Sequence, residues 1–187
     1  MPPVHAVRKP EPAAEGSTAD HAALAARAAR GDRSAFGELF RLYAPMVHGI
    51  LLARAPASEV RDLMQDVFVL ALEKLASLRD TEAFGGWLAM IARNRTVDFH
   101  RRRSHRKTTP LETEVAVSDP DRAELEELLA AIRGLPATYA ETLVLRLVEG
   151  MSGPEIAARV GMKPESVRVN LHRGMAMLRE RLRGERS

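Results

Sequence analysis

The sequence predicts an all-α protein of two small helical domains, an N-terminal helical bundle and a C-terminal helix-turn-helix domain, joined by a flexible linker. Three observations carry this expectation. Apolar residues recur three and four positions apart through most of the chain, and no segment alternates as a strand would. Ala, Leu, Glu and Arg abound while aromatics are only 4%, which favours a core of aliphatic helix formers. The periodicity then fails between Ser104 and Asp121, where SHRKTTPLETEVAVSDPD is rich in Thr, Ser and Pro and turns from basic to acidic. The chain is thereby divided into a tail (1–19), a first domain (20–103), a linker (104–121) and a second domain (122–187).

Composition narrows the class further. The 187 residues are 45% hydrophobic, enough for one or two small cores. Net charge is only +3, but basic and acidic blocks alternate, so the distribution says more than the sum. With no cysteine there is no disulfide frame, Cys-based zinc site or thiol nucleophile. No apolar run is long enough to span a membrane, so no membrane insertion is expected. The start, MPPVHAVRKPEPAAEGST, lacks the apolar core of a signal peptide. Its four prolines and mixed charge predict a disordered tail. A soluble, cytoplasmic protein is expected.

In the first domain, Asp20 caps a short helix that Gly31 ends. Asp32 opens a second, with Phe36, Leu39, Phe40, Tyr43, Val47, Ile50 and Leu51 as its apolar stripe. Pro45 predicts a kink or break there, because proline lacks the backbone donor. After Pro56 a third helix buries Val60, Leu63, Met64, Val67, Ala71, Leu75 and Leu78, with Glu59, Asp62, Gln65, Asp66 and Glu73 opposite.

The stretch Phe84 to Arg103, FGGWLAMIARNRTVDFHRRR, organises this domain. Phe84, Trp87, Leu88 and Ile91 are apolar at helical spacing, and Trp87 is expected in the core. The helix then turns basic: Arg93 to Lys107 hold seven Arg or Lys and one acid, Asp98. Arg93, Thr96, His100 and Arg103 share one face. A helix of this length spans roughly 30 Å, anchored at its start and offering cations, hydroxyls and the Asn94 amide at its end. That outline suits a nucleic-acid-facing helix, and equally a core helix that ends in a solvated charge run.

In the second domain, Leu125, Leu128, Leu129 and Ile132 mark one inward stripe, and Tyr139, Leu143, Val144 and Leu147 the next. The most specific signal follows in SGPEIAARVGMKPESVRVNLHRG. Ser152 and Glu155 form a capping box with Pro154 in the first turn. Gly161 suits a left-handed turn, and Pro164 starts a second helix. Ala157, Gly161 and Val167 stand at helix-turn-helix spacing. The second helix buries Val167, Leu171, Met175 and Leu178 and exposes Glu165, Arg168, Val169, His172 and Arg173. Such a face can enter a major groove, where Arg pairs with guanine.

These residues resemble the extracytoplasmic-function (ECF) sigma factors, two-domain members of the bacterial sigma-70 class. RDLMQDVFVLAL is similar to the family's D-L-x-Q-E-x-F segment, FGGWLAMIARNRTVDFHRRR to its W-L-x-x-I-A-x-N element, and GMSGPEIAARVGMKPESVRVNLHRG to its final helix-turn-helix. The likeness covers about residues 20 to 184. It implies a sigma factor that binds core RNA polymerase, through the beta and beta-prime subunits, and directs it to promoter DNA. Asp62, Gln65 and Asp66 would meet the beta-prime clamp helices. The loop Ser77 to Gly86 and Asn94 would handle a flipped base of the minus-ten element, while Arg93, Arg95, His100 and Arg101 would lie along that DNA. Arg168, Val169, His172 and Arg173 would face the minus-thirty-five element. An anti-sigma factor, wedged between the domains, is the implied regulator. Two departures stand out: Val169-Asn170 where the family usually has Ser-Arg, and Gly174 in place of Ala.

Rival classes fit less well. Glu59, Asp62, Asp66 and Glu73 share a face, yet a carboxylate metal site draws ligands from several helices, often with Glu-x-x-His. The six histidines are scattered, and no phosphate loop, H-E-x-x-H or G-x-S-x-G occurs, so no enzyme, metal or cofactor is expected. The alternative is a helix-turn-helix regulator acting on duplex DNA without polymerase, which leaves residues 32 to 103 without a role.

Overall fold

The structure, a computed structural model, describes residues 18–105 and 120–184. Eight α-helices follow one another: α1 (Thr18–Ala29), α2 (Arg33–Leu52), α3 (Ala57–Lys74), α4 (Phe84–His105), α5 (Pro120–Arg133), α6 (Ala137–Leu147), α7 (Gly153–Val160) and α8 (Pro164–Gly184). A single 3-10 turn, Leu75–Ser77, closes α3, and there is no strand among the described residues. The expected disordered tail and flexible linker fall largely outside the described residues.

Helices α1 to α4 form the first unit, with α2, α3 and α4 packed pairwise and α1 laid mainly on α2. Asp32 caps α2 by accepting from the Ala35 backbone N–H at 3.0 Å, and Arg27 pairs with its other oxygen at 2.7 Å. These donors hold the Asp32 carboxyl below its usual pKa. Pro45 lies inside α2, and the helix continues past it, so the chain does not break there. The missing donor costs about 3 kcal/mol. Tyr43, Met46 and Val47 flank it and are buried, at about 1.5–3 kcal/mol each, so packing outweighs the lost bond.

Helix α4 matches the predicted start, with Phe84 and Leu88 fully enclosed. Trp87 is only half-buried, its ring 5.8 Å from that of Phe84. Helix α3 is apolar over a wider arc than its buried stripe. Leu63, Val67 and Ala71 are enclosed, while Val69 and Leu72 are 50% and 52% exposed.

In the second unit α6 is central: it packs on α5, α7 and α8, with Leu143, Val144 and Leu145 fully buried. The capping box forms: Glu155 N–H donates to Ser152 Oγ at 3.3 Å, and Ser152 N–H to Glu155 Oε2 at 2.7 Å. These bonds to Ser152 depress the Glu155 pKa. Gly161 ends α7 at φ +68°, a left-handed geometry that glycine adopts without strain. Helix α8 buries Val167 and Leu178, while Leu171 and Met175 are half-buried. Gly174 is enclosed instead, because α6 lies close: a β-carbon there would come within 3.2 Å of Leu143 and 3.3 Å of Tyr139. The unusual glycine thus lets α8 settle on α6.

The two units touch directly, α2 against α6 and α4 against α7. Removing the cap with Ser152→Ala should cost about 1 kcal/mol, read as a lower urea midpoint at unchanged slope.

Candidate polymerase and nucleic-acid interfaces

The outer face of α3 is built by simple alternation about the helix axis. Leu63 and Val67 turn inward, which leaves Asp62, Gln65 and Asp66 exposed. Asp62 and Asp66 do not stand on an isolated surface. With Glu59 they line a cleft of about 160 Å³ whose other wall is Arg95, Asp98, Phe99 and Arg102 of α4. The carboxylates singled out for polymerase and the cation Arg95 singled out for the minus-ten element therefore adjoin. Arg95 is half-buried, and its Nε finds no hydrogen-bond partner among the described residues.

The remaining polar residues in the second half of α4 divide in two. Asn94, Arg101, Arg102 and Arg103 are exposed, and Arg101 makes only a surface pair with Asp98 at 3.1 Å. Of the residues expected on one face, Thr96 is buried, Arg93 is half-buried and His100 is exposed, and each bonds to protein. Thr96 is 2% exposed and its hydroxyl donates to the Arg93 carbonyl at 2.7 Å, so it offers nothing to a ligand. His100 Nε2 donates to the Arg54 carbonyl at 2.6 Å. Arg93 reaches across to α6 and grips Glu141 with Nε at 3.1 Å and Nη2 at 2.6 Å.

On α8 the expected reading face is open. Arg168, Val169, His172 and Arg173 are all exposed on the side away from buried Val167, Gly174 and Leu178. Asn170 is half-buried, with its Nδ2 unpaired among the described residues. The departure at positions 169 and 170 thus puts one residue on the reading face and one beside the core.

Two features escaped the sequence. Phe40, expected in the buried stripe of α2, is 43% exposed. With Phe36, Met64, Val69 and Leu72 it lines an open apolar groove of about 700 Å³ between α2 and α3. The only signal was that α3 is apolar at more positions than one stripe needs. The second is Glu141, which no local pattern marks. Among the described residues no three His, Asp or Glu groups are arranged to hold a metal ion. No described helix is long and apolar enough to cross a membrane.

A capped helix-turn-helix with a cationic outer face, carried beside a second helical unit with its own basic helix, defines a DNA-binding protein of the helix-turn-helix class. Residues 39–106 match Sigma-70 region 2, and residues 125–178 match Sigma-70, region 4. The chain is 33% identical over 159 residues to the RNA polymerase sigma factor CarQ of Myxococcus xanthus, covering 81% of this chain and 91% of that one. It is 30% identical over 166 residues to the ECF RNA polymerase sigma factor SigF of Caulobacter vibrioides, covering 86% and 93%. Among solved structures it superposes on CnrH, determined in complex with the cytosolic domain of CnrY, with a TM-score of 0.62 at 28% identity, covering 88% of this chain and 97% of that chain. The chain belongs to the sigma-70 family of RNA polymerase sigma factors, in its extracytoplasmic-function branch. Its members are transcription initiation factors, and the reading as a regulator without polymerase is not favoured.

One contact between the units responds to pH. His48 Nδ1 of α2 lies 2.6 Å from Glu149 Oε1, beyond α6. The hydrogen bond to Glu149 raises the His48 pKa above its ordinary 6.5, against the opposing effect of burial. A raised pKa means that the pair contributes fully below 6.5 and fades as pH rises through the higher value. The fraction of molecules with the units in contact should therefore fall over that rise, read by energy transfer between dyes on the two units. His48→Gln should flatten the response.

Proposed function

We propose that this chain, in the cytoplasm, joins core RNA polymerase through the outer face of α3, engages the minus-ten element with α4 and reads the minus-thirty-five element with α8. The observation that carries the reading is the sorting of side chains on α8. Every residue singled out for DNA is solvent-facing, while the opposite side is locked onto α6. On α3 the same sorting leaves Asp62, Gln65 and Asp66 to meet a partner. On α4, Asn94, Arg95 and Arg101 are at hand for a melted strand and its phosphates, whereas His100 is occupied by the Arg54 carbonyl. In this reading residues 20–103 serve polymerase and the minus-ten element, and 122–187 the minus-thirty-five element. Promoter DNA and polymerase are macromolecular partners, and no cofactor or catalytic group belongs to this role.

An anti-sigma factor is the regulator we assign to it. The structural relative CnrH is seen with the cytosolic domain of a second protein. The apolar groove between α2 and α3 supports the same arrangement here, since Phe40, Val69 and Leu72 need cover. Such a partner would dock on this groove.

The test is run-off transcription with core polymerase on mapped promoters, beside binding assays. Asp62→Lys with Asp66→Lys should abolish binding to core polymerase at unchanged helicity, since surface changes seldom move stability by more than about 0.5 kcal/mol. Unchanged affinity would refute the role of α3. Arg173→Ala should cost about 1–3 kcal/mol on the cognate minus-thirty-five duplex and much less on a scrambled one, where phosphate contacts dominate. Equal losses on both would reduce Arg173 to a positioning contact.

A further inference from the structure

The deepest charge between the two units is the Glu141 carboxylate of α6, whose side chain is only 3% exposed. A buried carboxylate demands partners, because desolvation without compensation is costly. Both of its partners come from the other unit. Arg93 of α4 donates through Nε and Nη2, and Arg54, just past α2, donates through Nη2 at 2.9 Å. Three more contacts surround this centre. Arg159 Nη1 donates to the Leu42 carbonyl at 2.7 Å, Arg133 Nη1 reaches the Leu52 carbonyl at 3.5 Å, and His48 meets Glu149.

The chain also carries glycines where this contact calls for them. Gly49 is buried in the middle of α2, where glycine weakens a helix relative to alanine. A β-carbon there would stand 2.7 Å from Leu145 Cδ2 and 3.0 Å from Glu149 Cγ, both of the second unit. At Gly85 a β-carbon would collide with the Arg159 carbonyl oxygen. Close approach of the units is therefore written into the backbone as well as into the charges.

A guanidinium fork fits a carboxylate and a phosphate in the same way. We infer that Glu141 is an internal latch: it holds the free chain closed and occupies Arg93 as a stand-in for the promoter phosphate. Core polymerase and promoter DNA then have to displace Glu141 before α4 can bind the minus-ten strand. The competition for Arg93 rests on the proposed role of α4; the latch itself rests only on the contacts between units.

The 187 residues include no cysteine, so Glu73→Cys and Glu180→Cys, both exposed, give clean dye sites on α3 and α8. Energy transfer in the free protein reports opening, and binding of a single-stranded minus-ten oligonucleotide reports access to Arg93. Glu141→Gln keeps the shape and removes the charge. It should raise the open population on the order of tenfold and tighten oligonucleotide binding by a similar factor, and adding Arg93→Ala should cancel the second gain. Gly49→Ala leaves Glu141 and its two arginines untouched and favours α2 itself, so its crowding of Leu145 and Glu149 should open the chain even if Glu141→Gln perturbs folding. Unchanged energy transfer in both variants overturns the latch. Opening with no gain in oligonucleotide binding overturns the competition and the assignment of Arg93 to promoter DNA, while supporting Glu141 as what holds the units together.

Discussion

A carboxylate taken out of water must be met by donors, and that constraint joins the two halves of this molecule. At 3% exposure the Glu141 carboxylate takes its donors from the other unit. The fork of Arg93 and the second guanidinium of Arg54 supply the missing solvation. Three helical segments far apart in sequence are thereby fixed in one geometry: the end of α2, the middle of α4 and the start of α6. Leu143 to Leu145 beside Glu141 are fully buried, so the charge is set within apolar packing that keeps water away. Breaking one arm of such a group costs more than its own bond, because the remaining charges lose their compensation.

What was legible in the sequence was local. The capping box of α7 needs only Ser152, Glu155 and the three-residue interval between them. The left-handed stop at Gly161 and the proline start of α8 need still less. The exposed face of α8 followed from periodicity, since Val167 and Leu178 fix one side and leave the other to solvent. The family likeness added roles that no periodicity could supply.

What was not legible depended on distance and on width. Arg93 reads as one more cation in a basic run, and its partner lies 48 residues away. Thr96 reads as a surface hydroxyl on the same face, and the same packing buries it. Helical spacing names the centre of an apolar stripe but not its edges, so Phe40 was assigned to the core and the groove beside it went unseen. Pro45 carries a strong local signal for a kink or break, and the burial of its neighbours keeps the helix from breaking there.

Gly174 brings the backbone of α8 onto Leu143 and Tyr139. The pitch of that helix is therefore set by main chain against side chain, on the side away from Arg168, His172 and Arg173. A scaffold whose orientation is independent of its outward residues can change its preferred sequence one side chain at a time. Divergent descendants of such a chain could then acquire separate sets of target genes without refitting their interiors.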